Sequence, residues 1–240
     1  MQTIKDRLKN EYPYKIEMHA HTRPVSFCSE VTPEELIAIY ADLGYQGIVI
    51  TNHFVYNSQP RMTKEEFLAW YIKDYQDACI AGEIYGIKVY LGAELRFDKE
   101  ENDYLLYGAD ADVLSLAYDY LGKGLAPYRN EVDLCNSVLL QAHPFRRGLT
   151  LAPPELLDGI ETLNMHPGHN SEVGLAIRYA KEQNFPIVTA GSDFHHPNRG
   201  HEGLAALRCR ELPEDSFALA KMLRDRDYCF ELGGASIVLP

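Results

Sequence analysis

An α/β fold, either a (β/α) barrel or a related doubly wound sheet, is what this sequence predicts, and three observations predict it. Short apolar runs alternate with helical stretches along most of the chain. Several of those runs are apolar on both faces, as strands buried inside a parallel sheet must be. The chain has 240 residues, 46% hydrophobic and 24% charged, which suits one large globular domain. No repeat, low-complexity tract or Ser/Gly-rich linker divides it, so a single domain over residues 1–240 is expected.

Residues 15–19 read as the first strand. Thr32 then caps a helix that has Pro33 at its first position and Glu34 and Glu35 in its first turn, where carboxylates face the positive end of the helix dipole. Leu36, Ile37, Ile39, Tyr40 and Leu43 give that helix its buried stripe, and Gly44 ends it. Residues 47–51 are a largely apolar strand. A helix over about 63–85 leads to a strand at 88–92, and its Trp70, Tyr71 and Tyr75 read as wall packing. Residues 104–107, 137–141, 159–163 and 186–190 are further strands, with a helix over 171–183 between the last two. A helix over 216–224 and a strand at 228–232 complete the alternation.

Composition narrows the function. Lys plus Arg is 23 against 35 for Asp plus Glu, a formal net charge of −12 that repels a phosphate backbone and disfavours a nucleic-acid partner. No apolar run approaches the roughly 18 residues of a membrane span, and the first six residues do not open a signal peptide. Cys28, Cys79, Cys135, Cys209 and Cys229 are scattered and form no CxxC. Reduced thiols in a cytoplasmic protein without a membrane partner are therefore expected.

The residues just past each apolar run are more informative. His19 and His21 end the first strand, His53 comes after the second and Glu94 after the third. His143 succeeds residues 138–142, and Asp193 and His195 succeed residues 187–192. Parallel α/β folds assemble their sites from the C-terminal ends of strands, where these groups would meet. A lone histidine at a strand end is ordinarily a hydrogen-bonded structural residue. The pair His19-Ala20-His21 says more, because alternate residues of a strand point the same way. Imidazoles with carboxylates suit Zn²⁺, Mn²⁺ or Fe²⁺ rather than Ca²⁺ or Mg²⁺. The set exceeds what one tetrahedral ion needs, so two to three divalent transition metals are expected.

His19-Ala20-His21-Thr22, Ile50-Thr51-Asn52-His53, Gly92-Ala93-Glu94, Ala142-His143-Pro144 and Gly191-Ser192-Asp193-Phe194-His195 resemble, in order, the successive motifs of the PHP (polymerase and histidinol phosphatase) superfamily. The resemblance spans residues 19–195. It implies a distorted (β/α)7, TIM-like barrel carrying a di- or trinuclear metal centre that hydrolyses phosphate esters. It also implies that His19, His21 and Asp193 hold one ion, that Glu94 bridges to a second bound by His143, and that His53 and His195 hold a third. The chain departs from the pattern three times. Asn52 stands where the family has Asp. The third ligand of the first motif has no clean counterpart in residues 23–29, leaving Glu30 as the best candidate. No histidine occurs in residues 114–118, where many members place one.

Other residues near these motifs are candidates for substrate. His166 and His169 lie past another strand end. Arg146, three residues past His143, and Arg96, two past Glu94, are placed to take a phosphoryl oxygen with a forked guanidinium; Arg147 is a neighbouring alternative. His196 and Arg199 are weaker candidates, and His201 reads as surface. Cys28 has no dedicated base, so no protein nucleophile is expected. The implied activity is metal-dependent phosphomonoester hydrolysis of a small phosphorylated metabolite, histidinol phosphate or a nucleotide among them, by metal-bound hydroxide. The alternatives are a metal-dependent amidohydrolase acting on C–N bonds, since those barrels also open with HxH, and a non-catalytic metal-stabilised binding module.

Overall fold

The computed structural model describes residues 2–240 apart from 199 and 201, so Arg199 and His201 lie outside the described residues. The chain runs α1 (Ile4–Glu11), β1 (Tyr14–Ala20), α2 (Pro33–Asp42), β2 (Gly47–Ile50), β3 (His53–Val55), α3 (Lys64–Tyr85) and β4 (Lys88–Arg96). It continues through β5 (Tyr104–Tyr107), α4 (Ala111–Leu121), α5 (Leu125–Glu131), β6 (Val138–Gln141), β7 (Gly159–Asn164), α6 (Val173–Gln183) and β8 (Ile187–Gly191). It ends with β9 (Ala205–Cys209), α7 (Ser216–Asp225), β10 (Tyr228–Leu232) and β11 (Ser236–Val238).

Local chemistry explains the helix boundaries. Thr32 and Glu35 cap each other's backbone at the start of α2, and Thr63 and Glu66 do the same for α3. The anticipated strands and helices form at their places. α1, α4, α5, β3, β9 and β11 are additions. A reading by apolar runs passes over β9 because it contains Arg208, whose buried guanidinium donates to Glu231 at 2.8 Å.

The sheet curls in the order β1-β2-β4-β5-β6-β7-β8. A bridge from Ala20 to Phe194, just beyond β8, closes it back on β1, with the His21 N–H donating to the Phe194 carbonyl at 3.0 Å. This is the distorted seven-stranded barrel, and β5 is its distortion. β5 runs antiparallel to β4 and β6, while β1-β2, β2-β4, β6-β7 and β7-β8 are parallel. The cause is chain length: residues 97–103 are too few for a crossover, so the chain doubles back. β9, β10 and β11 extend the sheet from β1 in antiparallel fashion.

A register shift in β1 between Glu17 and Ala20 aims the site. Ile16 and Met18 pack with Leu105, Leu140 and Leu163 inside the barrel, whereas Ala20 packs outside against Leu36, Ile37 and Tyr40 of α2. The extra residue swaps the faces, so His19 and His21 turn inward above that apolar floor. Glu17 turns outward, accepting from the Tyr40 hydroxyl at 2.9 Å and from the backbone N–H of His19 and Ser192.

Candidate metal centre

Strand ends deliver seven of the eight predicted ligands to one rim of the barrel, Glu30 being the exception. β1 brings His19 and, one residue past its end, His21, while β3 brings His53 and β4 Glu94. The turn after β6 brings His143, and the segment after β8 brings Asp193 and His195. Among the described residues, four overlapping groups have ligand atoms within 4.8 Å of one another: His21, His53 and His195; His19, His143 and Asp193; His19, His21 and Glu94; and Glu94, Asp103 and His143.

Glu94 is central, and its two oxygens face different ways. Oε1 lies 3.1 Å from His143 Nε2 and 3.3 Å from His19 Nε2. Oε2 lies 2.8 Å from His53 Nδ1 and 3.5 Å from His21 Nε2. Asp193 Oδ1 sits 3.5 Å from His19 Nε2 and 3.4 Å from His21 Nε2. His143 (φ 30°) and Asp193 (φ 52°) both adopt left-handed backbone. Such residues carry strain of order 1–3 kcal/mol and persist where the surroundings hold them.

The ionisation of the cluster comes from its charges. Burial disfavours charge on His19, but Glu161, Asp193 and Glu94 outweigh that and raise its pKa well above the usual value. His53 behaves likewise: burial opposes its charge, yet Glu94 lifts it to about 10. Burial together with the neighbouring His195 and His53 drives His21 well below the usual range. Burial opposes charge on Glu94 and Asp193 too, but His19 and its neighbours hold both carboxyls well below their usual range. The Cys28 thiol, burial notwithstanding, is lowered to about 6 by contacts with His195 and His53.

Two buried carboxylates join the site without having been anticipated. Asp103, immediately before β5, comes within 3.9 Å of His143 Nε2 and is gripped by Arg96 through two hydrogen bonds of 2.7 Å. Glu161 on β7 accepts from His19 Nδ1 at 2.9 Å, which orients that ring, and from the His143 backbone N–H at 3.1 Å, which holds the His143 main chain in place.

The remaining candidates fall in different places. Arg96 closes its fork on Asp103 rather than standing open to a phosphate, because the reversal of β5 puts that carboxylate within reach. Arg146 lines the cavity, and its Nη2 donates to Asp193 Oδ2 at 2.6 Å and to Asn164 at 2.9 Å. His166 and His169 stand at the rim of the same cavity, their rings 4.6 Å apart. Glu30 is not brought into any of the four groups. It is 47% exposed and lies 3.3 Å from His196 Nδ1, in the loop after β1.

The donor set fits divalent metal. His19 Nε2, His21 Nε2, His53 Nδ1, Glu94 Oε2 and His143 Nδ1 are buried without a hydrogen-bond partner. A buried polar atom left so costs about 1–3 kcal/mol, and a shared cation is what several converging ones could have in common. The cluster opens into a cavity of about 280 Å³. A larger cavity of about 450 Å³ lies elsewhere, against Ile177, Phe185 and Val238, and includes none of these groups.

Residues 17–188 match the PHP domain family. The fold is similar to that of a two-domain protein from Bacteroides vulgatus containing a predicted PHP-like metal-dependent phosphoesterase. That likeness has a TM-score of 0.58 at 17% identity over 91% of this chain, which spans 64% of the length of that one. It is also similar to a protein from Bifidobacterium adolescentis named for an inferred metal-dependent phosphoesterase activity, with a TM-score of 0.52 at 16% identity over 87% of this chain and 95% of that one. Among curated proteins, none matches the sequence.

Proposed function

The chain belongs to the PHP domain family, and from that premise we propose that it is a metal-dependent phosphoesterase hydrolysing a small phosphomonoester. The observation that carries this reading is the split environment of Glu94. One carboxylate oxygen faces His19 and His143 while the other faces His21 and His53, as a carboxylate shared between two cations requires.

His19, His21 and Asp193 would hold one ion and His143 and Asp103 a second, with Glu94 shared between the two, and His53 with His195 a third, with Zn²⁺, Mn²⁺ or Fe²⁺ as the ions these donors suit. Bound there, the ions supply an acidified water and a clamp on the phosphoryl oxygens. The chain's own residues do the rest. Glu161 fixes the His19 ring by accepting from Nδ1, which leaves Nε2 for the cluster. Arg146 holds Asp193 in place, and its buried Nε, without a hydrogen-bond partner, is left as a donor for a phosphoryl oxygen. His166 and His169 at the rim offer further donors to the substrate. A cavity of about 280 Å³ sits at the small end of ligand sites and suits a phosphate with a modest leaving group. The acidic chain disfavours a polynucleotide.

The test is a hydrolysis screen over phosphorylated metabolites with Mn²⁺, Zn²⁺ or Fe²⁺, paired with elemental analysis of the purified protein. About two to three equivalents of metal and metal-dependent release of phosphate are expected. Protein that neither contains nor responds to metal would sink the proposal.

A further inference from the structure

We propose that Cys28 is a thiolate ligand of the ion held by His53 and His195, so that one position of the centre is a mixed sulfur–imidazole site. The inference rests on the metal-centre reading and adds to it a donor of different chemistry. The Cys28 Sγ lies 3.2 Å from His53 Nε2, and Cys28 lines the same cavity as His53 and His195. Nitrogen and sulfur ligands of one tetrahedral zinc stand about 3.5 Å apart, given bonds of about 2.0 and 2.3 Å. A cation between them needs only a few tenths of an ångström of outward movement.

Independent support comes from the imidazoles behind it. His21, His53 and His195 bring ring nitrogens within 4.8 Å of one another. His21 is wholly buried and its Nε2 has no hydrogen-bond partner, so a polar atom taken out of water points into this group unsatisfied. His53 and His195 as neutral imidazoles carry no charge to balance a divalent ion, and Glu94 Oε2, at 2.8 Å from His53, is also near His21. A thiolate supplies negative charge on the open side, its proton leaving to solvent as the ion binds.

The loop places the sulfur there. The Ser26 N–H donates to the Thr22 carbonyl at 2.8 Å and the Ser29 N–H to the Ser26 carbonyl at 2.9 Å, while the Ser29 hydroxyl donates to the His21 carbonyl at 2.9 Å. The turn carrying Cys28 is therefore tied at both ends to the strand that delivers His21. Sulfur is a softer donor than the carboxylates, so this position would favour Zn²⁺ or Co²⁺ over Mn²⁺.

Cobalt reports sulfur ligation directly. Metal-stripped full-length protein titrated with Co²⁺ should develop a near-ultraviolet thiolate-to-cobalt charge-transfer band. Cys28→Ser should lose that band while keeping visible ligand-field bands from the other positions, and Cys135→Ser, an exposed cysteine elsewhere, should keep it. In parallel, loading with Zn²⁺ should protect Cys28 but not Cys135 from alkylation, read by mass spectrometry. Cobalt bound without the band, a band that survives Cys28→Ser, or unprotected Cys28 in zinc-loaded protein would overturn the thiolate and leave the phosphoesterase reading standing. Failure to bind cobalt at all would overturn both.

Discussion

A single carboxylate organises the candidate centre, and its neighbours set what its loss should do. Each oxygen of Glu94 meets two imidazoles, so Glu94→Gln removes negative charge from both sides at once. We expect metal content to fall at both adjoining positions and kcat/KM to drop by about 10²-fold or more, the scale of losing a group that stabilises transition-state charge. Glu30→Gln should leave both near wild type; equal losses in the two variants, by elemental analysis and steady-state kinetics, would contradict the assignment. Arg146 has two neighbours to satisfy. Its bond to Asp193 means that Arg146→Ala should weaken metal binding as well as phosphate affinity, with Lys recovering only part because it lacks the fork. Unchanged metal affinity and unchanged kcat/KM in Arg146→Ala would make it a bystander.

Asn52, where the family pattern has an aspartate, illustrates a compensated exchange. Its side-chain amide donates to Asp74 Oδ2 at 2.7 Å and to the Thr22 hydroxyl at 2.8 Å, and its oxygen accepts from the Thr22 N–H and the Ser26 hydroxyl. The carboxylate of this network sits on α3 instead, at Asp74. An aspartate at 52 would set two buried carboxylates against each other, so Asn52→Asp should destabilise by about 3 kcal/mol and Asp74→Asn should restore part of that. Burial, only partly offset by Thr22 and Asn52, pushes Asp74 up to about 6. A carboxyl raised in the fold contributes stability fully present below its ordinary pKa near 3.8 and lost as pH rises through about 6. Urea unfolding of metal-stripped protein should therefore show Asp74→Asn gaining on wild type by up to about 3 kcal/mol between pH 4 and pH 7. A pH-independent difference would refute the shift.

At the scale of elements, direction of travel decides which residues reach the rim. The strand-end rule finds His19, His21, His53, Glu94, His143, Asp193 and His195 because their strands all run the same way. It misses Asp103 because β5 runs backwards, so the start of β5, not its end, lies at the site. The signal was present: residues 97–103 cannot hold a crossover, which makes the next strand antiparallel and its first residues part of the rim. Glu161 was hidden differently, as the one charged position inside the buried strand Gly159–Asn164. A charged residue in a strand buried on both faces is itself a sign of a partner in need of orientation. The extra residue in β1 that turns His19 inward has no sequence mark at all, since it depends on pairing with β2. Contact between β1 and β8 is equally tertiary, and Gly191 permits it. A Cβ there would lie 2.4 Å from His19 Cβ and 2.8 Å from Glu161 Oε1. Gly191→Ala should cost about 1–3 kcal/mol as an overpacked core does, and it should also lower metal affinity by displacing His19. A variant that loses stability but binds metal as wild type would separate the two strands' packing from the site.

Taken as a whole molecule, the protein has two ways to neutralise its centre, protons or cations, and they exclude each other. Without ions, His19 is held protonated by Glu161, Asp193 and Glu94 despite burial, and His53 by Glu94 up to about 10. Both pKa values are raised in the fold, so these protons contribute stability fully present below the ordinary imidazole value of 6.5 and lost as pH climbs through the folded one. Metal must displace them, because a ligating nitrogen cannot also carry a proton. Affinity for Zn²⁺ or Mn²⁺ should therefore rise with pH across the neutral range, with about two protons released per loaded centre from His19 and His53, plus that of whatever fraction of Cys28 is still a thiol above its pKa of about 6. Calorimetry in buffers of different ionisation enthalpy reads that number as a slope. Chelation should lower the thermal midpoint, since a ligand at about 100 times its Kd adds about 2.7 kcal/mol of stability, and the loss should be larger at pH 8 than at pH 6. A buffer-independent enthalpy, or a chelation effect that shrinks as pH rises, would mean that the histidine–carboxylate cluster is a proton-linked structural network and that the metals bind elsewhere.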